Sequence, residues 1–249
     1  MRINLFASAK FFWTMVIVYA FCAAISIYLP QGDYTTGMPA ALPAPKPIMS
    51  LAIFGLILVA YGGLGILGLK LARKIGIPAL FDKTVSNKWR FFYPAIAGAI
   101  CGVILIIGDN IFASFNGIGR FPHPAFPASI LAAISAAIGE EIIFRLFYIS
   151  FLTWLVSKII LRGRYFNQTF WIMSFLSAII FGLAHYPSII YLYGFNSLAA
   201  VPLGLQMEII SLNALIGITA AAFFKKAGYL AAVGVHFWTD IIWHVIYGF

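Results

Sequence analysis

The chain has 249 residues, of which 63% are hydrophobic and 9% charged, and its mean hydropathy is +0.99. Charged residues make up about a quarter of an ordinary soluble domain, so the composition excludes a water-soluble globular protein and leaves a polytopic membrane protein. The net charge of +9 would suggest nucleic acid in a soluble protein, but here the basic residues collect in alternate connections, and no nucleic-acid partner is expected.

Runs of about 20 apolar residues suffice to cross a ~30 Å hydrocarbon core. They fall near 11–29, 48–69, 91–107, 128–157, 170–190, 201–224 and 227–248. The expected fold is all-α, a membrane helical bundle of about seven to eight transmembrane helices forming one integral membrane domain over 1–249. The first run follows Arg2 and Lys10 like a signal peptide, but no small-x-small cleavage site closes it, and it is read as retained. Pro30 to Pro47 reads as an irregular connection without chemistry. Span two carries Gly62, Gly63, Gly65 and Gly68, and span three Gly98 and Gly102, small residues that let helices approach closely. Cys22 and Cys101 lie in apolar spans as packing residues. Lys70 to Arg90 mixes apolar and basic residues, as an interfacial segment does.

Arg2, Lys10, Lys70, Arg73, Lys74, Lys83, Lys88, Arg90, Lys158, Arg162, Arg164, Lys225 and Lys226 fall on one side, and only Lys46 and Arg120 on the other. By the positive-inside rule the N-terminus is cytoplasmic and, with seven spans, the C-terminus is outside. The expected location is a bacterial or archaeal cytoplasmic membrane.

Beyond Asp109 a loop rich in Gly, Pro and Phe runs to Pro127 and is placed over the outer mouth of a cavity, with His123 as a surface histidine. Span four then carries Gly139-Glu140-Glu141-Ile142-Ile143-Phe144-Arg145. A charge at mid-bilayer costs roughly 2.5–3.5 kcal/mol, so two Glu and an Arg within six residues ask for a function or a wet hollow. Glu141 and Arg145, at i and i+4, share a helical face as an ion pair, while Glu140 is turned about 100° away and left free to work. Span five ends in Phe181-Gly-Leu-Ala-His185-Tyr-Pro, with Pro187 ending or kinking the helix. Span six holds Gln206, Glu208 and Asn213. Gln206 and Asn213 read as interhelical glue, and Glu208, near the outer end, as a solvated or glue residue. Span seven has His236 and Asp240 at i and i+4, then His244, which nears the outer interface and is assigned no catalytic role.

With a 1.5 Å rise per residue, Glu140, His185, His236 and Asp240 overlap in depth. Such a set can activate water: a buried Glu beside a His takes a proton and returns it to a leaving amine, while the second His and the Asp hydrogen-bond an oxyanion. Alternatively Glu140, His185 and His236 hold a divalent ion such as zinc, although the His-Glu-x-x-His helix of zincins is absent.

The order Glu-Glu-x-x-x-Arg (Glu140, Glu141, Arg145), Phe-x-x-x-His (Phe181, His185) and His-x-x-x-Asn/Asp (His236, Asp240) resembles the CPBP intramembrane proteases. That group holds the Ras-converting CAAX endopeptidase and the Abi-type bacteriocin-processing and immunity proteins. The resemblance covers a motif-bearing core over about 128–245. It implies that Glu140 and His185 activate water, that His236 and residue 240 stabilise the tetrahedral intermediate, and that Glu141 and Arg145 hold the motif helix. Asp240 stands where the prenyl-protein endopeptidases carry Asn; since an ionised Asp donates no hydrogen bond, it orients His236 or ligates a metal instead. The expectation is an intramembrane endopeptidase, monomeric, acting on a membrane-anchored and in some cases prenylated CAAX-type substrate by glutamate- or metal-dependent chemistry. A non-catalytic membrane immunity or binding protein of the Abi type is the alternative, and a proton-coupled carrier a third.

Overall fold

The computed structural model describes residues 5–32 and 44–249. Seven long helices follow one another: α1 (Leu5–Ser26), α2 (Lys46–Lys74), α3 (Lys88–Phe112), α4 (residues 128–160), α5 (Phe166–Tyr193), α6 (Leu203–Ala227) and α7 (Tyr229–Ile246). No strand occurs among the described residues. All but α4 are apolar enough over their length to cross a membrane. The protein is thus a polytopic helical bundle with seven long helices, the lower of the expected figures. Most of the connection expected to be irregular, residues 33–43, lies outside the described residues.

The bundle is arranged around α4 and α7. Helix α4 packs against α1, α2 and α7, and α7 against α3, α4 and α6. This burial answers the charge problem, since the one helix carrying Glu140, Glu141 and Arg145 is surrounded by others rather than by lipid. At roughly 50 Å, α4 exceeds the hydrocarbon thickness. It widens into π-type turns over Ile142–Ile149, just past the two glutamates, and α7 does so over Ile241–Ile246, just past Asp240. The same widening occurs over Ile57–Tyr61, Lys88–Phe92 and Trp154–Ile160, so it is not confined to these two places.

Close approach depends on glycine. A Cβ on Gly98 would run into the carbonyl of Val235, and one on Gly102 would sit 2.6 Å from Ile242 Cβ, so α3 lies backbone to backbone on α7. Gly182 brings α5 to within 2.9 Å of the Ile210 Cα of α6 by the same measure. Thr239 uses the closeness, its hydroxyl donating to the Gly98 carbonyl at 3.1 Å. Cys22 and Cys101 are buried, unpaired and 3.6 Å from Thr219 in the case of Cys101, which makes them packing residues.

Helix α5 is interrupted. It is regular to Leu183, turns at Ala184 and His185, and resumes over Tyr186–Tyr193 with Pro187 in the first turn, where its missing N–H costs nothing.

The basic end of the bundle is ringed by aromatic side chains: Lys74 lies 5.0 Å over Trp154, Lys226 5.2 Å over Trp89 and Lys225 5.1 Å over both Phe170 and Trp171. Arg90 is buried, bonding Asn87 Oδ1, the Asp82 carbonyl and the Val85 carbonyl, and so folds the segment between α2 and α3. Ile17, Phe21, Val59, Ile100, Ile107 and Phe175 are exposed, as residues facing acyl chains are.

If the α3–α7 seam needs glycine, Gly98→Val overpacks it. The expected result is a loss of about 1–3 kcal/mol, read as a lower thermal midpoint of the purified protein, whereas Gly63→Ala, with open space around it, leaves the midpoint unchanged.

Candidate active site

Glu140, His185, His236 and Asp240 all line one cavity of about 360 Å³, together with Phe181, Asn213, Glu208 and His244. Three helices supply the four groups: α4 the carboxylate, α5 one imidazole at its break, and α7 the other imidazole and the second carboxylate.

The fixed point is Glu141, fully buried. Its Oε1 lies 3.0 Å from Arg145 Nη1 and 2.9 Å from His236 Nδ1. The i, i+4 pair expected within α4 is present, but the same oxygen also ties α4 to α7. Because a carboxylate only accepts, His236 donates through Nδ1, and Nε2 is turned into the cavity. There it faces Glu140 Oε2 and Asp240 Oδ2, each at 3.6 Å, long for a direct hydrogen bond. The ring is therefore oriented by Glu141 and not by Asp240, a correction to the reading from spacing. Glu140 is 32% exposed while Glu141 is fully buried, so the two neighbours occupy different surroundings, as the 100° turn between them requires.

His185 donates through Nδ1 to the Phe181 carbonyl at 2.8 Å. That leaves Nε2 with its lone pair free. The break in α5 makes the bond available, because the Phe181 carbonyl lies at the end of the regular helix, where intrahelical partners run out. The Phe181 ring fills the space between the charged groups: its centroid is 5.1 Å from the His185 ring, 5.7 Å from the His236 ring and 4.7 Å from the Arg145 guanidinium.

As to a metal, each histidine has one nitrogen tied to an oxygen acceptor and the other toward the cavity, the second-sphere arrangement of histidine ligands. Two imidazole nitrogens and a carboxylate are a donor set suited to zinc, and Glu140, His185 and His236 would supply it. Among the described residues no three His, Cys, Asp or Glu side chains are gathered at metal-holding distance.

The cavity is roofed by the loop over residues 113–127, through Phe121, Pro122 and Pro124. A polar cluster that spacing did not reveal pins this loop. Asn116, fully buried, donates to Glu208 Oε2 at 2.6 Å and to the Gly119 carbonyl at 2.8 Å, and accepts from the Ile118 and Gly119 amides at 2.9 Å each. Asp109 Oδ1 accepts from the Phe121 amide at 3.0 Å. The Asp109 and Glu208 carboxyls are neighbours under this loop. Glu208 is thus fully buried and not solvated; the loop folds over what the sequence presents as an exposed helix end. Neither Gln206 nor Asn213 bridges helices by its side chain: each amide donates locally, to the carbonyls of Val201 and Ile209.

His123 is not a surface residue. Its ring lies 4.7 Å from that of Trp243 and 5.5 Å from that of Tyr247, and its Nδ1 is 3.1 Å from His244 Nδ1. One ring must donate and the other accept, so the contact needs at least one neutral imidazole. Burial pushes the His123 imidazole down to about 4.

A family model, described as type II CAAX prenyl endopeptidase Rce1-like, matches residues 122–242. Neither the curated proteins nor the solved structures contain a match.

Two outcomes test the roof. Glu208→Gln keeps an acceptor for the Asn116 amide and leaves amide hydrogen exchange over residues 116–121 slow, whereas Glu208→Ala orphans Asn116 at about 1–3 kcal/mol and accelerates it. For His123, the unfolded imidazole binds its proton near pH 6.5 and the folded one only near 4, so stability is complete above about 6.5 and lost as pH falls toward 4; His123→Phe should flatten that acid limb in a thermal melt.

Proposed function

We propose, on the match of residues 122–242 to the type II CAAX prenyl endopeptidase Rce1-like family model, that the chain hydrolyses a peptide bond inside the membrane with water activated by Glu140 and His185. The observation that carries this reading is the meeting of Glu140, His185, His236 and Asp240 on one small cavity within an otherwise apolar bundle. A charged group so placed is functional by default.

In this mechanism a water lies between the Glu140 carboxylate and His185 Nε2. Glu140 accepts its proton as the oxygen attacks the scissile carbonyl, and passes that proton to the leaving amine when the tetrahedral intermediate collapses. His185, held through Nδ1 by the Phe181 carbonyl, fixes the attacking oxygen with its free nitrogen. His236, held through Nδ1 by Glu141, presents Nε2 toward the gap between Glu140 and Asp240. With both ring protons in place it donates there to the developing oxyanion. Asp240, an acceptor when ionised, positions the substrate amide and does not act as an oxyanion donor. Glu141 and Arg145 are positioning residues. A divalent ion held by Glu140, His185 and His236 would supply the alternative, lowering the pKa of a bound water.

The substrate is a peptide presented from the bilayer, and the family's description favours a prenylated C-terminal CAAX sequence. The basic end is assigned to the cytoplasm by the distribution of Lys and Arg.

The test uses purified protein and a panel of prenylated and unprenylated peptides. Glu140→Gln and His185→Ala should each lower the cleavage rate by about 10²–10⁴ with abundance and thermal midpoint intact. A non-catalytic binder of the Abi type would cleave nothing and keep its cellular phenotype with both changes. Loss of cleavage on chelation, restored by zinc, selects the metal mechanism.

A further inference from the structure

A second cavity, of about 810 Å³, holds none of the motif residues. It lies at the basic end, between α1, the last turns of α2 and the segment after α2. Its floor is apolar and buried, formed by Leu71, Ala72, Ile77, Leu80, Leu146 and Phe224. Its rim carries Lys70, Arg73 and Lys74, all exposed. Among the described residues no carboxylate pairs with any of the three. The rim's one acid, Asp82, is engaged by the hydroxyl and amide of Thr84 at 2.7 and 2.9 Å, which hold its carboxyl below the usual range and so ionised. Three cations against one anion leave the rim positive.

From this we propose that the cavity is a binding site for an anionic phospholipid, with its phosphate on Lys70, Arg73 and Lys74 and an acyl chain on the apolar floor. Depth agrees with chemistry. The Lys74–Trp154 and Lys226–Trp89 contacts mark the level at which aromatic and basic side chains meet the headgroups, and basic pockets between helices at that level are where anionic lipids settle. The volume falls within the range of ordinary ligand pockets. A soluble anion would use the rim and leave the floor empty; a neutral lipid would use the floor and leave the rim uncompensated.

The site touches the motif helix in two places. Leu146, on the floor, follows Arg145 directly, and Gly68 of α2 packs on it so closely that a Cβ would stand 2.7 Å from the Leu146 carbonyl oxygen. Tyr229, also lining the cavity, donates its hydroxyl to the Ile138 carbonyl at 2.9 Å, two residues before Glu140. A bound lipid therefore braces α2 and α7 against α4 and should raise thermal stability.

The test is native mass spectrometry of the full chain in neutral detergent, titrated with phosphatidylglycerol or phosphatidylcholine of identical chains, with thermal midpoints measured alongside. The wild type should retain one phosphatidylglycerol with at least about tenfold preference over phosphatidylcholine, and its midpoint should rise with the anionic lipid alone. Lys70→Gln/Arg73→Gln/Lys74→Gln should lose the preference, as should the two-charge variant Arg73→Gln/Lys74→Gln; Lys83→Gln/Lys88→Gln, which removes two exposed charges outside the cavity, should keep it. Ala9→Trp, which fills the cavity with the charges intact, should lose bound lipid of either kind. Equal retention of both lipids, no retained lipid, or an equal loss in the Lys83/Lys88 variant would each overturn the proposal.

Discussion

A single buried carboxylate oxygen holds the site together. Glu141 Oε1 is shared by Arg145 of its own helix and by His236 of α7, both within 3.0 Å. An ion pair buried in apolar surroundings repays its desolvation only with good geometry and further hydrogen bonds, and His236 is that further bond. Remove it, and α4 holds a pair with poor compensation; remove Arg145, and the buried carboxylate keeps His236 as its one close partner. The electrostatic need of α4 is therefore what fixes the direction of the His236 ring.

This constraint explains why the helices are arranged as they are. The charged helix must be enclosed, so it lies inside α1, α2, α5 and α7, and glycines at 98, 102 and 182 let the enclosing helices close up without leaving voids. Phe181 then fills the apolar gap among Arg145, His185 and His236, while Glu140, His185, Asp240 and one edge of His236 are turned to the cavity. The polar cluster of Asp109, Asn116 and Glu208 does at the cavity's roof what Glu141 does at its base, tying a connection to two helices through groups that water does not reach.

Much of this was legible in the sequence, for identifiable reasons. Seven apolar runs became seven helices because hydrocarbon thickness dictates their length and because lipid tolerates no unpaired backbone. The division between Glu140 and Glu141 followed from the 100° step of a helix, and the break at His185 from Pro187. Partners 95 residues apart were not legible: nothing local says that Glu141 and not Asp240 would take His236 Nδ1. His123, and the solvated half of the reading of Glu208, were misjudged because exposure was inferred from position along the chain; as glue, Glu208 holds the loop through Asn116. A glutamate near a helix end is wet only if no loop covers it, and a histidine between prolines is on the surface only if that loop stays outside.

The two histidines are mounted differently. His236 sits inside a continuous helix, its ring tied to a fully buried acid, and can move only if α7 moves. His185 stands where one stretch of helix stops and another starts, held by a carbonyl of its own last turn. The two walls of the site are thus built unlike, one on an unbroken helix and the other at the junction of two, beside Ala184.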